Sequence, residues 1–275
     1  MEPGTVRGLF IRMRMRNCII LGSGRSGTSM VAGALSQAGY FMGEELWPAQ
    51  IANPKGFFED REVNSINEDI LAQVIPRRHT KPPRPWQLRK FLWNRRPVNR
   101  QRWLACIPVR KTIPSTPALD SRIQTLVAKA PYCLKDPRFS YTLPVWRPFL
   151  GDATFVCVFR YPALAAQSIL NECAHSDYLK SLSMSFKRAL LVWELMYSHI
   201  LQKHANDGDW LFLHFDQVLN GDGLDRLEEF LGAPVDRSFP DPAFRRTTSD
   251  DAVPKSVRLL YQQLCARAAY TDPAH

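Results

Sequence analysis

Residues 17–21 (Asn-Cys-Ile-Ile-Leu) form a short apolar run that stops at Gly22-Ser23-Gly24-Arg25-Ser26-Gly27-Thr28-Ser29. A run of this length closed by glycine reads as a buried strand. Beyond it, Met30, Val31, Ala34, Leu35 and Ala38 recur at helical spacing, and Gly39 offers a C-cap. Strand, turn and helix together constrain the chain more than any other feature. The glycines have the G-x-x-x-x-G spacing of a P-loop, in which backbone N–H groups and the positive end of the helix cradle an anion. Hydroxyl residues opening the helix favour that reading over a plain tight turn.

The loop also lacks something. A Walker A loop carries Lys where Thr28 stands, and that Lys holds the β- and γ-phosphates of a nucleotide. Here the positive charge sits three residues earlier, at Arg25, and the best central-strand candidate ends in Arg160 rather than in an acid for Mg²⁺. A phosphate cradle without machinery for a Mg²⁺-triphosphate points to a donor with a less charged 5′ group. No acid stands at a strand end about twenty residues on, which argues against a dinucleotide fold.

Along the chain, strands and helices alternate. A helix is expected over Asn64–Ile75, a strand at Tyr132–Leu134 and a central strand at Ala153–Phe159, with a helix after Pro162. A long helix over Ser183–Lys203, a strand at Trp210–Phe215 and a helix over Gly223–Leu231, closed by Gly232, follow. This alternation predicts an α/β fold, a single P-loop-type domain over residues 1–275 whose parallel sheet is flanked by helices. The basic residues 1–16 lack the apolar region of a secretory signal and read as a disordered arm or as residues ahead of the true start. No apolar run is long enough to span a membrane.

Residues 76–118 break the alternation. Eight prolines lie between Pro76 and Pro117, and from Ile70 to Leu119 there is no Asp or Glu while twelve Lys and Arg occur. A basic, Pro-rich insertion is expected there, with a short helix at Trp86–Trp93 as its one regular element. Trp86, Trp93 and Trp103 interleave with the charges. A solvated loop with tryptophans packed on the domain is the plain reading. Among functional ones, an acidic acceptor is preferred; an anionic membrane surface also fits, and a nucleic acid is the weaker match.

Two further constellations carry chemistry. Arg160, at the carboxyl end of a buried strand, is costly to bury unless it meets an anion, and Ser168 falls on the second turn of the next helix, facing back toward it. Lys135-Asp136-Pro137-Arg138 follows another short strand and brings two more cations to the same sheet edge.

With these residues in view, the sequence resembles the PAPS-dependent sulfotransferases, in particular bacterial members and the tyrosylprotein sulfotransferases. Arg25 to Ser29 resemble the 5′-phosphosulfate loop, Arg160 and Ser168 the pair that binds the donor 3′-phosphate, and Lys135-Asp136-Pro137 the Lys-Asp-Pro motif whose lysine faces the transferring group. Leu213 to Leu219 and Phe230-Leu231-Gly232 are similar to the closing strand and helix. The resemblance covers residues 17–40 and 130–235. It implies transfer of a sulfuryl group from 3′-phosphoadenosine-5′-phosphosulfate (PAPS) to a hydroxyl or amine, with Arg25, Ser26, Gly27, Thr28, Ser29, Arg160 and Ser168 binding the donor and no metal expected. Arg25 and Lys135 would stabilise developing charge. Asn53-Pro54-Lys55-Gly56-Phe57-Phe58-Glu59 resembles a bacterial stretch that makes Glu59 the favoured base. Gly43-Glu44-Glu45 resembles its tyrosylprotein counterpart and makes Glu45 the alternative, with His79 next.

The six cysteines include no C-x-x-C pair, and Cys18, Cys133 and Cys157 lie in apolar runs, so reduced cysteines in a cytoplasmic protein are expected. A P-loop small-molecule kinase and a non-enzymatic nucleic-acid- or membrane-binding module are the competing classes. Neither the acceptor nor the oligomeric state is fixed by the sequence.

Overall fold

The computed structural model describes residues 14–50, 53–77, 95–244 and 247–272. Its sheet is built from β1 (Cys18–Leu21), β2 (Cys133–Lys135), β3 (Thr154–Phe159) and β4 (Trp210–His214), all parallel, in the order β2-β1-β3-β4. Ile19 pairs with Leu134 on one side and Phe155 on the other, and Cys157 pairs with Phe212.

Alternate strand residues point to opposite faces, and both faces are buried. Ile19, Leu21, Leu134, Phe155, Cys157 and Phe159 enter one core, while Cys18, Ile20, Cys133, Val156, Val158 and Leu213 enter the other. The helices are α1 (Thr28–Ala34), α2 (Arg61–Ala72), α3 (Pro117–Val127), α4 (Phe139–Trp146), α5 (Pro162–His175), α6 (Phe186–His199), α7 (Phe215–Asn220), α8 (Asp222–Leu231) and α9 (Lys255–Arg267). Residues of α2–α6 and α9 cover the first face; those of α1, α7 and α8 cover the second. Each fully buried Leu, Ile or Phe in these layers contributes about 1.5–3 kcal/mol relative to exposure. No described helix is long and apolar enough to cross a membrane.

The element boundaries have local causes. Helix α1 stops at Ala34 rather than continuing to Gly39, which closes a later turn at φ +94°. Helix α2 begins at Arg61, earlier than its apolar pattern suggests, because Asp60 caps it. One Asp60 carboxylate oxygen accepts from the Glu62 and Val63 N–H groups, and the other from those of Glu44 and Glu45. Such a cap contributes about 1 kcal/mol. Helix α3 opens on a Thr116 cap with Pro117 in its first turn, and the sequence reading passed over it. It also passed over α9. The expected helix at Trp86–Trp93 and residues 1–13 of the expected arm lie outside the described residues. Between 95 and 116 the backbone is irregular apart from a 3₁₀ turn at Arg102–Leu104.

Candidate active site

The strand order reverses between β1 and β3: β1 connects to β2 on one side, and the chain then crosses to β3 on the other. Ligands of open parallel sheets bind outside the carboxyl ends of strands at such a point. The glycine loop follows β1 there. Gly22 has φ +145°, and a Cβ on it would stand 2.2 Å from the Val158 carbonyl oxygen, so only glycine lets the loop pass this close to β3. The Tyr197 hydroxyl, from α6, fastens the two: it donates to the Val158 carbonyl at 2.8 Å and accepts from the Ser23 N–H at 3.0 Å. Burial raises the Tyr197 pKa, so the hydroxyl keeps its proton for that bond. Ser26 and Thr28 are buried beneath the loop.

Arg25 leaves the loop with φ +69°. Its Nε donates to Ser168 Oγ at 3.1 Å, and its Nη1 lies 3.6 Å from the Glu172 carboxylate. Ser168 and Glu172 are buried on α5. The two halves read separately in the sequence, loop and α5, therefore meet. Arg160 ends β3, 5% exposed, with its guanidinium carbon 4.4 Å from the centre of the Phe215 ring, which packs against Gly27. The glycine loop thus meets α5 through Arg25 and Ser168, and Arg160 through Phe215, at the carboxyl end of the sheet.

Lys135 ends β2 beside it. Its buried ammonium donates to Ser29 Oγ at 3.3 Å and pairs with the Glu59 carboxylate. Asn64, on the first turn of α2, holds the other Glu59 oxygen: its Nδ2 donates to Glu59 Oε2 at 3.3 Å and to Asp136 Oδ2 at 2.7 Å. Its Oδ1 accepts from the Trp47 indole at 2.8 Å. Lys135 is the buried member of the pair, so removing Glu59 would leave an uncompensated charge inside the protein.

One of the sequence assignments reads differently in the structure. Arg138 does lie at this sheet edge, but its charge is taken up: Nε donates to Glu68 at 2.8 Å and Nη1 to Asp136 at 3.0 Å, and Arg102 joins Glu68 at 2.7 Å. Burial opposes the Arg138 charge, yet Asp136 and Glu68 outweigh it and raise the pKa. Glu45 is exposed and its carboxylate bonds Arg61 at 3.1 Å, whereas Glu59 meets Lys135. Trp103 is packed on the domain, buried against Gly24. His79 lies outside the described residues. His199 and His204 are buried on backbone carbonyls, and His214 caps α7. Sequence reasoning missed Asn64, Trp47 and Tyr197, whose partners are scattered along the chain with no spacing to betray them. Among the described residues, no group of three or more His, Cys, Asp or Glu side chains gathers as metal ligands would.

The fold is a parallel α/β sheet with cations and hydroxyls gathered at its switch point. A family model for the sulfotransferase family matches residues 18–237, from β1 to just beyond α8, and the chain belongs to that family. Two solved structures share the fold. The sulfotransferase domain from the Synechococcus PCC 7002 olefin synthase aligns with a TM-score of 0.50 at 16% identity, covering 94% of this chain and 95% of that one. The sulfotransferase domain from the curacin biosynthetic pathway aligns with a TM-score of 0.52 at 12% identity, covering 94% and 99%. At such identities the likeness is one of fold. No curated protein matches the chain.

Proposed function

We propose that this sulfotransferase-family chain takes its sulfuryl group from PAPS and passes it to a hydroxyl or amine acceptor, in the cytoplasm. The observation that carries the reading is Lys135, which bonds Ser29 of the glycine loop on one side and Glu59 on the other. A cation, a loop hydroxyl and a carboxylate meet at one point, which is the inventory that transfer of an anionic group to a hydroxyl requires. The donor brings a sulfuryl group already activated by its bond to a phosphate oxygen.

The chain's own residues do the rest. The loop amides, Ser26, Thr28 and Arg25 hold the 5′-phosphosulfate, and Arg160 with Ser168 holds the 3′-phosphate. Lys135 leaves Glu59 to neutralise charge on the bridging oxygen as the S–O bond breaks. Glu59, freed of its counter-ion, takes the acceptor proton as the new O–S bond forms. Positioning supplies much of the remainder.

A thermal-shift comparison tests the reading. Adenosine 3′,5′-bisphosphate with EDTA present should stabilise the chain, by about 2.7 kcal/mol at a hundred times its Kd. Stabilisation by Mg-ATP and not by the bisphosphate would overturn it in favour of a kinase.

A further inference from the structure

Arg100 lies over Trp47, whose backbone bonds Glu59, and is held there. It adopts φ +68°, in the left-handed region that side-chain-bearing residues seldom occupy. The two residues that follow it are anchored. Gln101 is buried; its Nε2 donates to the Tyr178 carbonyl and to Ser181 Oγ, and its Oε1 accepts from the Val98 N–H. Arg102 is bound through backbone and guanidinium to Glu68. Just ahead of these anchors the exposed Arg100 side chain extends over two aromatic rings, 4.8 Å from the centre of Trp47 and 5.5 Å from that of Tyr178.

A guanidinium stacked on rings is oriented by them while its N–H edges stay available. Among the described residues Arg100 makes no ion pair and its side chain no hydrogen bond. Arg61, the other guanidinium over Trp47, is instead paired with Glu45. Trp47 connects Arg100 to Glu59. Its N–H donates to the Glu59 carbonyl at 2.9 Å, and its indole bonds Asn64, which holds the Glu59 carboxylate. The flanking sequence, without an acid from Ile70 to Leu119, adds nothing that would neutralise Arg100.

We infer that Arg100 is an anion clamp for the acceptor: the acceptor is a hydroxyl compound that carries its own carboxylate, phosphate or sulfate. The inference rests on the reading of Glu59 as the acceptor base. A planar guanidinium fork matches such groups in two-point contact, so the clamp selects among acceptors by charge rather than by hydroxyl type.

Matched probes that differ by one charged group test it. Phenyl β-D-glucoside is compared with phenyl β-D-glucuronide, and glucose with glucose 6-phosphate. Each is titrated calorimetrically into wild type saturated with adenosine 3′,5′-bisphosphate, and into Arg100→Gln, Arg100→Lys and Arg110→Gln. The charged member of at least one pair should bind roughly ten- to a hundredfold more tightly to wild type. The ratio should fall near one in Arg100→Gln, recover in part in Arg100→Lys and stay at the wild-type value in Arg110→Gln, a change in the same basic stretch. Whichever pair shows the preference distinguishes carboxylate from phosphate recognition. Equal binding within both pairs, no binding of any charged probe, or an equal loss in Arg110→Gln would each overturn the clamp. Failure of adenosine 3′,5′-bisphosphate to bind wild type would instead overturn the donor reading, so the two failures are distinct.

Discussion

Trp103 lies against Gly24 so closely that a Cβ on Gly24 would stand 2.5 Å from the indole ring. The last part of the basic stretch is therefore a support for the glycine loop, packed with Leu104 and Ala105 into the same core as β1 and β3. Gly24→Ala should push the loop off this ring. Overpacking of that kind costs about 1–3 kcal/mol, and a displaced loop should bind adenosine 3′,5′-bisphosphate more weakly. Trp103→Leu in the same chain opens space and should restore part of both losses. The check is a double-mutant cycle on melting temperature and nucleotide affinity; strict additivity of the two changes would show that the contact does not couple ring to loop.

The parts of the fold legible in the sequence are those with strong local signals. The run from Cys18 to Ser29, the β-branched Thr154–Phe159 strand and the Gly232-closed helix all carry their own periodicity and punctuation. Helix α3 was missed although Thr116-Pro117 is a sound opening, because the proline density before it overshadowed the cap. Helix α9 has Val257, Leu260, Tyr261 and Leu264 buried at helical spacing, a pattern present in the sequence but unmarked by any motif. The site divides the same way. Loop, Arg160 and Lys135 sit at strand ends and Ser168 on the helix after β3, so they could be placed from their elements alone. Asn64 bonds Asp136, 72 residues away, and Arg138 is neutralised by Glu68, 70 residues away. Only the folded chain brings such partners together.

Arg160→Ala should cost donor affinity far more than stability. Its guanidinium sits at the end of β3 over Phe215, and loss of one charge-assisted partner from a buried phosphate costs about 2–5 kcal/mol. Adenosine 5′-phosphosulfate lacks the 3′-phosphate and should bind wild type and variant alike. Titration of both ligands into both proteins decides it; equal losses for the two would give Arg160 a role elsewhere in the site.

Acid should weaken the fold through His204. Burial pushes its pKa down to about 4 from an ordinary 6.5, although its Nε2 bonds the Ser140 carbonyl at 3.2 Å. The unfolded chain takes the proton near pH 6.5 and the folded chain does not. The contribution is therefore complete above about pH 6.5 and is lost as pH falls toward 4, by about 3 kcal/mol at most. His199, lowered by the same cause, acts in the same direction. Denaturant melts at pH 7 and pH 4.5 should show a smaller acid loss in His204→Gln than in wild type; identical losses would sink the assignment.

The Lys135–Glu59 pair yields the most discriminating test, because Asn64 fixes the carboxylate from the side opposite the ammonium. Lys135→Ala and Glu59→Gln should leave adenosine 3′,5′-bisphosphate affinity close to wild type while depressing turnover, since both groups act on charge that develops only during transfer. Loss of a general base typically costs about 10²–10⁴-fold in kcat. Glu45→Gln removes only an exposed partner of Arg61 and should turn over normally. Asn64→Ala should fall between: the base remains but loses its tether to Asp136, so kcat drops while KM for the acceptor stays close to wild type. A purely structural role for Asn64 would lower stability and leave kcat of the folded enzyme unchanged. Transfer of labelled sulfuryl to an acceptor identified among charged probes provides the rates. A crippled Glu45→Gln beside a normal Glu59→Gln would transfer the base to the loop ahead of α2. Normal turnover in both would remove the carboxylate from the mechanism and turn attention to His79.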